Sequence, residues 1–348
     1  IIVRVNKDFP GRAVAFVPGY SGAVAGDLAD NVEVVGLAAR ISHSDFEVVE
    51  RGPSADGPQN AGAARNAGLD AVKGEWVAFV DADDLPLPEM LEAAVVVGER
   101  ERADIVVFGA EEFDDKTGLK TPLPLRLDAG LGDDVRFTSF GNCVWNKLFR
   151  RGFVMEAGSR FQNTPRSNDV FFVYTSLARA KRVAFLKCAD YCYRENRSGC
   201  LSLSKDRHPT ASFDAYAAIG RTDLTLKRLD LWRDYVNDGY STTLESPAPS
   251  RSDCHGWGGH PLYHFAADFA GVRPDAPFFG RVRVAPQPGG LKRLSAKVPH
   301  PKGSVGIELT VDADGCLAGV VTLPADVTGT FVGNGAEIPL QSGRNEIR

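Results

Sequence analysis

Short apolar runs alternate with helix-length segments as far as about Tyr235, and that alternation limits the possible folds more than any other feature. "AVAFV" from Ala13 is followed by an amphipathic stretch from about Val24 to Arg40, then "FEVVE", "AARNAGLDAV" and "EWVAFV". Apolar runs bounded by turn residues and separated by helical periods predict βα units and a mostly parallel sheet. Pro86 and Pro88 suit the first turn of a helix, where a missing N–H costs nothing, and its apolar face would include Met90, Leu91, Ala94 and Val95. "DIVVFG" (Asp104 to Gly109) then reads as a strand. Further on, the loop "NTPRSND" precedes a helix from about Val170 to Ala180, "RVAFL" reads as a strand, and Ala211 to about Tyr235 reads as one more helix.

Near Ser241 the pattern changes. "ESPAPSRSD" is rich in Pro and Ser, the helical "HPLYHFAADFAG" follows, and from Arg273 short alternating strands are split by "PQPGG", "HPKG", "DADG" and "GNG". That is an all-β signature, which predicts two domains, 1–240 and 241–348. With 348 residues, 43% of them hydrophobic, each part has enough apolar material for its own core. A net charge of −5, without a basic block, argues against nucleic acid as a partner. No apolar run approaches the roughly 20 residues that span a bilayer, and "IIVRVNKDFPGR" lacks the order of a secretory signal. The expectation is a cytoplasmic protein without a transmembrane segment, with peripheral membrane association left open. The six cysteines show no CxxC spacing and read as reduced thiols.

The segment "GEWVAFVDADD" carries the chemistry. "WVAFV" lacks the alternation of a half-exposed strand and so reads as a central one, and ligands of open α/β sheets bind beyond the carboxyl ends of strands. Asp81, Asp83 and Asp84 would sit at that end, where like charges repel unless a cation or a proton compensates. Oxygen ligands in this number suit Mg²⁺ or Mn²⁺, which would in turn hold a diphosphate. The tripeptide reads equally well as a turn with Asp84 as helix cap.

The run "NAGAARNAGLDAVKGEWVAFVDADD" (Asn60 to Asp84) resembles the signature of the family 2 inverting glycosyltransferases, which have the GT-A fold. "VAFVPGYSGAVAGDLADNVEVV" upstream is similar to the family's first strand, turn and helix, with Ser21 in place of an Asn. "VWNKLFRR", "RSNDVFF" and "YCYRENRSGCLS" downstream follow in the family's order, and the resemblance spans about 13–235. It implies that Asp81 and Asp83, with Asp84 beside them, bind the metal of a nucleotide-diphosphate sugar, and that Asp169 is the catalytic base. A carboxylate there can take a proton from an acceptor hydroxyl while the metal stabilises the leaving diphosphate. Without the family, Asp169 reads as an N-cap. The resemblance also implies nucleotide contacts for Tyr20, Arg65 and Arg194, whose plain readings are a core ring, a solvated helix cation and a surface charge. The Trp145–Lys147 element reads as acceptor-side architecture or as packing.

The chain departs from the family after the second strand. Relatives carry an acidic turn there that holds the nucleotide base. "ERGPSADGPQNAG" leaves Glu50 and Asp56 as the only candidates, and the helix and strand that normally follow are nearly absent.

The tail, from about Thr242, is similar to the C-terminal end of family 78 glycoside hydrolases, the α-L-rhamnosidases. That resemblance implies a last barrel helix carrying "SDCHGW", with Glu245 shortly before it as a base and His255 and Trp257 lining a sugar pocket, and then a β-sandwich. The general acid comes from a barrel region this chain lacks, and inverting hydrolysis needs both carboxyl groups, so no rhamnosidase activity is expected. His255, His260 and His264 read as a rim of ordinary helix histidines rather than a metal site. The function expected is transfer of a sugar from a nucleotide sugar to a glycan or other hydroxyl acceptor. The alternative is a non-catalytic carbohydrate-binding or scaffold protein.

Overall fold

The computed structural model describes residues 2–5, 61–72, 74–81, 84–86, 90–114, 116–123, 141–164, 167–195, 211–244, 252–254 and 256–348. The chain separates into two compact units, Ile1–Ala211 and Ser212–Arg348. The predicted strands and helix between residues 13 and 50 lie outside the described residues.

In the first unit, strand β1 (Ile2–Val5), helix α1 (Ala61–Ala71), β2 (Trp76–Phe79), β3 (Leu85–Pro86), α2 (Met90–Glu101) and β4 (Ile105–Asp114) come first. They are followed by β5 (Lys120–Leu123), β6 (Lys147–Arg150), α3 (Arg151–Ala157), α4 (Asn168–Arg179) and β7 (Val183–Glu195). The sheet runs β1-β2-β6-β4-β7-β3, with β5 on β4. Its described strands pair in both senses. Among the described residues of this sheet β4 and β7 pair in parallel, and β2 lies antiparallel to both β1 and β6. The antiparallel partner β6 comes from "NKLFRR", which has too few residues to show a strand period of its own.

β2 is buried along its whole length, which is why its sequence does not alternate. Its two faces still differ. Trp76, Ala78 and Val80 join Met90, Leu91, Ala94 and Val95 of α2 in one core, so the helix face read from the sequence is the face that packs. Phe79 points the other way, into a cluster with Phe149, Phe161 and Phe172 at centroid distances of 5.9, 5.1 and 5.5 Å. The Phe161 and Phe172 rings stack at 4.2 Å. Beside the first core, Arg150 lies over the Trp76 ring at 4.2 Å and bonds Glu75 at 2.6 Å and Glu99 at 3.1 Å. That set of contacts fixes the start of β2 against α2 and β6.

The second unit begins earlier than the composition shift near Tyr240. The segment predicted as one helix forms three, α5 (Ala211–Ala218), α6 (Thr222–Arg228) and α7 (Asp230–Asn237). Gly220, at φ 71°, takes the left-handed conformation that ends the first of them. These helices are tied to the tail. The Thr222 hydroxyl donates to the Gln287 carbonyl at 3.0 Å, the Gln287 amide donates to the Ala217 carbonyl at 3.0 Å, and the Trp232 Nε1–H donates to the Gly258 carbonyl at 2.7 Å.

"HPLYHFAADF" forms a short helix α8 (Pro261–His264) that runs into a π-helical turn, Phe265–Phe269. His264 is not on a rim. It is fully buried, with Nδ1 2.7 Å from the Asp268 carboxylate, which also bonds Arg273. The helix wraps His264 and Asp268 inward at i,i+4 and leaves Leu262, Tyr263 and Phe265 exposed.

The remainder is all β, as read from the sequence. Strands β8 (Val272–Pro274), β9 (Arg281–Val284), β10 (Arg293–His300), β11 (Gly303–Val311), β12 (Leu317–Leu323), β13 (Thr328–Gly333), β14 (Ala336–Leu340) and β15 (Gly343–Ile347) form two four-stranded sheets. β11 alternates cleanly, with Val305, Ile307 and Leu309 buried and Glu308 and Thr310 out. Asn334 and Gly335, at φ 53° and 73°, make the tight turn that "GNG" predicts between β13 and β14. Phe331 is the large fully buried ring of this core. Phe331→Ala is expected to destabilise the second unit by about 3–5 kcal/mol, seen as an earlier urea transition of that unit with the first unit's transition unmoved.

Candidate active site

The carboxyl end of β2 runs into a turn closed by the Asp84 N–H donating to the Asp81 carbonyl at 3.1 Å. Three segments far apart in sequence converge on it. Helix α1 brings Arg65, whose Nη2 donates to Asp81 Oδ1 at 2.7 Å and whose Nη1 donates to Asn168 Oδ1 at 2.8 Å. Arg65 is therefore no solvated helix cation; its side chain is 11% exposed, whereas that of Asp81 is 33% exposed. Helix α4 brings Asn168 and Asp169. β7 brings Tyr191.

Each segment is held in place by contacts of its own. Asn66 exchanges two 2.9 Å hydrogen bonds with the Phe161 backbone, fixing α1 against the chain entering α4. The Arg65 guanidinium lies over the Phe161 ring at 5.5 Å. Ser167 takes a left-handed conformation, φ 53°, directly before the helix. The cap position is thus Ser167, and Asp169 sits inside the first turn, where the helix dipole favours a negative charge. The N-cap reading of Asp169 is not realised.

The charges are coupled. Burial raises the Asp169 pKa from its ordinary value, and the neighbouring Asp81 adds to this; Arg65, the residue's own backbone amide and Lys147 oppose it without cancelling it. Burial disfavours the Arg65 cation, but Asp81 and Asp169 more than offset that and raise its pKa. The result is a half-buried carboxyl poised to accept a proton, beside a cation locked in place.

Asp84 points inward. Its carboxylate is 2% exposed and accepts the Tyr191 hydroxyl at 2.6 Å, while the same hydroxyl accepts the Asp81 N–H at 3.1 Å. Burial, then the charges of Asp84 and Asp81, keep that hydroxyl protonated well above its usual range. The Tyr191 ring stacks on Trp145 at 4.8 Å, and Trp145 stacks on Tyr193 at 5.4 Å. Lys147 is fully buried and donates to the Gly141 and Cys143 carbonyls at 3.3 and 2.6 Å and to the Asn146 side chain at 2.7 Å. Burial lowers its pKa to about 8 against the pull of Cys143 and Asp169, and burial pushes the Cys143 thiol up to about 11.

The site thus holds Arg65, Asp81, Asp84 and Asp169 of the residues named from sequence. Tyr20, Glu50, Asp56, Asp83, Glu245 and His255 lie outside the described residues, as do the side chains of Arg194 and Trp257. Sequence reasoning missed Asn168 and Tyr191 and left Trp145 and Lys147 without a role. The one legible signal was Tyr-x-Tyr, which puts Tyr191 and Tyr193 on the same face of a strand. Among the described residues no three metal-ligating side chains form a cluster. Asp81 is partly exposed, commits Oδ1 to Arg65, and opens the turn that in sequence also contains Asp83.

Residues 55–158 match the family model described as Glycosyl transferase family 2, and residues 271–346 match the Bacterial alpha-L-rhamnosidase C-terminal domain. "Putative glycosyltransferase EpsH" of Bacillus subtilis (strain 168) is 28% identical over 178 residues, 47% of this chain and 49% of that protein. The succinoglycan biosynthesis protein ExoO of Rhizobium meliloti (strain 1021) is 30% identical over 159 residues, 42% of this chain and 45% of that protein. The chain spans about half the length of the curated relatives it matches. Among solved structures, S. aureus TarS 1-349 in complex with UDP-GlcNAc has a TM-score of 0.46 at 16% identity, over 61% of this chain and 66% of that chain. No described helix is long and apolar enough to cross a membrane. Arg65 and Asp81 fall within the first match, so the first unit carries a family 2 glycosyltransferase region and the second a bacterial α-L-rhamnosidase C-terminal domain.

Proposed function

We propose that this chain is a metal-dependent, inverting glycosyltransferase that moves a sugar from a nucleoside-diphosphate sugar to a hydroxyl of a glycan or other acceptor. The observation that carries this reading is the bridge by which Arg65 holds Asp81 and Asn168 together beside Asp169. The succinoglycan biosynthesis relative supports a growing polysaccharide as the acceptor.

Asp81 and Asp83 would hold the Mg²⁺ or Mn²⁺ ion, with Asp84 behind them as the buried anchor of the turn. When bound, the ion supplies positive charge to the departing diphosphate. Asp169 accepts the proton of the acceptor hydroxyl as that oxygen bonds to the anomeric carbon. The carbon–oxygen bond to the diphosphate breaks, its electron pair leaves with the nucleotide, and attack from the opposite face inverts the centre. Arg65 keeps Asp169 ionisable and, with its planar fork, suits a place near the diphosphate. Tyr20, Glu50, Asp56 and Arg194 are the proposed nucleotide contacts.

The test is a screen of uridine, guanosine, thymidine and cytidine diphosphate sugars, following nucleotide release with and without Mn²⁺, paired with calorimetric titration of the nucleotide. Metal-dependent binding that disappears in Asp83→Ala is the expected result. Silence across the panel in the intact chain would sink the reading and favour a non-catalytic carbohydrate-binding protein.

A further inference from the structure

Lys147 is a fully buried cation with no part in the proton transfer. It opens β6 at the carboxyl end of β2, where Leu148 lies opposite Ala78, and it sits opposite Val107 of β4. Residues 147 and 149 share one face of the strand. On that face Phe149 packs at 5.1 Å on Phe172 of α4, and Phe172 comes three positions after Asp169, on the same side of the helix. Lys147 therefore extends along the α4 side of the sheet, where Asp169 opens the helix, while Leu148 joins the opposite core.

The ammonium donates to the Gly141 carbonyl at 3.3 Å, the Cys143 carbonyl at 2.6 Å and Asn146 Oδ1 at 2.7 Å. All three acceptors come from the six residues directly before it, so one charge winds up the whole segment 141–146. That segment carries Trp145, which stacks on Tyr191 and Tyr193. A lysine ammonium has three N–H donors, whereas the neutral amine has two and a lone pair, so loss of the proton leaves one of these acceptors facing a lone pair. Burying a charge is also costly, and burial holds the Lys147 pKa down to about 8 against the pull of Cys143 and Asp169. Those are the titratable groups that face it, Cys143 from its own segment and Asp169 from α4. The Cys143 thiol, pushed up to about 11 by burial, stays neutral where the lysine loses its proton.

We propose that Lys147 is a positioning residue: by gathering those three acceptors its ammonium holds segment 141–146, with Trp145, in the working shape of the site, and loss of its proton releases them. The inference rests on the transferase reading for its purpose but not for its measurement. A site on a segment that must be re-formed at each turnover works more slowly than one held ready, and a misplacement of about 1 Å can cost about 10²-fold in rate.

The measurement is ¹⁹F nuclear magnetic resonance of the full chain labelled with 5-fluorotryptophan, titrated from about pH 6 to 10, with the Trp145 signal assigned by its loss in Trp145→Phe. Trp76, fully buried in the first unit, and Trp232, bonded to the Gly258 carbonyl in the second, serve as internal references. In the wild type the Trp145 signal is expected to step with a midpoint near pH 8 while the two references stay still. In Lys147→Met it is expected at the wild type's alkaline position already at neutral pH, without a step. Wild-type kcat/KM should fall along the same curve, and that of Lys147→Met should be lower by up to about 10²-fold at neutral pH. If the Trp76 signal also moves in Lys147→Met, the fold is lost and Lys147→Arg takes its place; a guanidinium stays charged throughout, so its Trp145 signal should show no step. A wild-type Trp145 signal without a step near pH 8 overturns the proposal. So does a step that persists in the variants, or a kcat/KM that stays constant across it. The step in a wild type that transfers no sugar upholds this proposal and rejects the transferase reading instead.

Discussion

Asp169→Asn is expected to slow sugar transfer by roughly 10²–10⁴-fold, the usual contribution of a general base, while leaving nucleotide binding in place. The same substitution is expected to raise the melting temperature at pH 7. The sign follows from the direction of the shift. Burial raises the Asp169 pKa above its unfolded value, so the ionised form costs the folded state free energy at neutral pH. That cost is present above the folded pKa and disappears as the pH falls through it. Asn never carries the charge, so its thermal advantage should be largest near pH 7 and should vanish at a pH where the wild-type carboxyl is protonated. Rate and pH are linked in the same way. The base works only when deprotonated, so the acid limb of kcat/KM should lie above the ordinary carboxylate range. A variant that keeps its full rate, or melts earlier than wild type at pH 7, would show that Asp169 serves the fold and not the reaction.

Arg65→Leu should cause the larger structural damage. It leaves Asp81 and Asp169 without the Arg65 cation and Asn168 Oδ1 without its donor. Breaking a buried pair by removing one partner costs about 3–5 kcal/mol, and the partial exposure of Asp81 argues for the lower end. Arg65→Lys should not restore it, since one ammonium cannot reproduce the fork that reaches Asp81 through Nη2 and Asn168 through Nη1. The decisive measurement is a double-mutant cycle in urea. Adding Asp169→Asn to Arg65→Leu removes a charge that has lost its partner, so the double variant should be more stable than the sum of the two single effects, by about 0.5–3 kcal/mol. Strict additivity would mean that Arg65 and Asp169 do not sense one another.

Much of this molecule is legible in neighbouring residues. Helix α2 carries on one face the residues the periodicity selects, Met90, Leu91, Ala94 and Val95, because a 3.6-residue repeat needs no knowledge of the partner. The Asn334-Gly335 turn and the alternation of β11 follow from backbone preference and pleat in the same way. Asp81 was legible as a carboxylate closing a strand, whereas Asp169 by its position alone read as an N-cap and drew a chemical role only from the family resemblance. The three-way division of residues 211–237 was not, because apolar spacing continues across Gly220 and only its left-handed backbone ends the helix.

Sequence alone determined the local periods, the turns and the residue types that line the site. The tertiary structure decided which side chains meet, since Arg65 and Asn168 are 103 positions apart and Asp84 and Tyr191 are 107. No local preference encodes such pairs. They exist because β7 pairs with β3 and α4 packs Phe172 on the far face of β2. Long-range strand order and burial thus turned Asp84 inward, gave Arg65 two acceptors, and made a tyrosine from the far end of the unit part of the acidic turn.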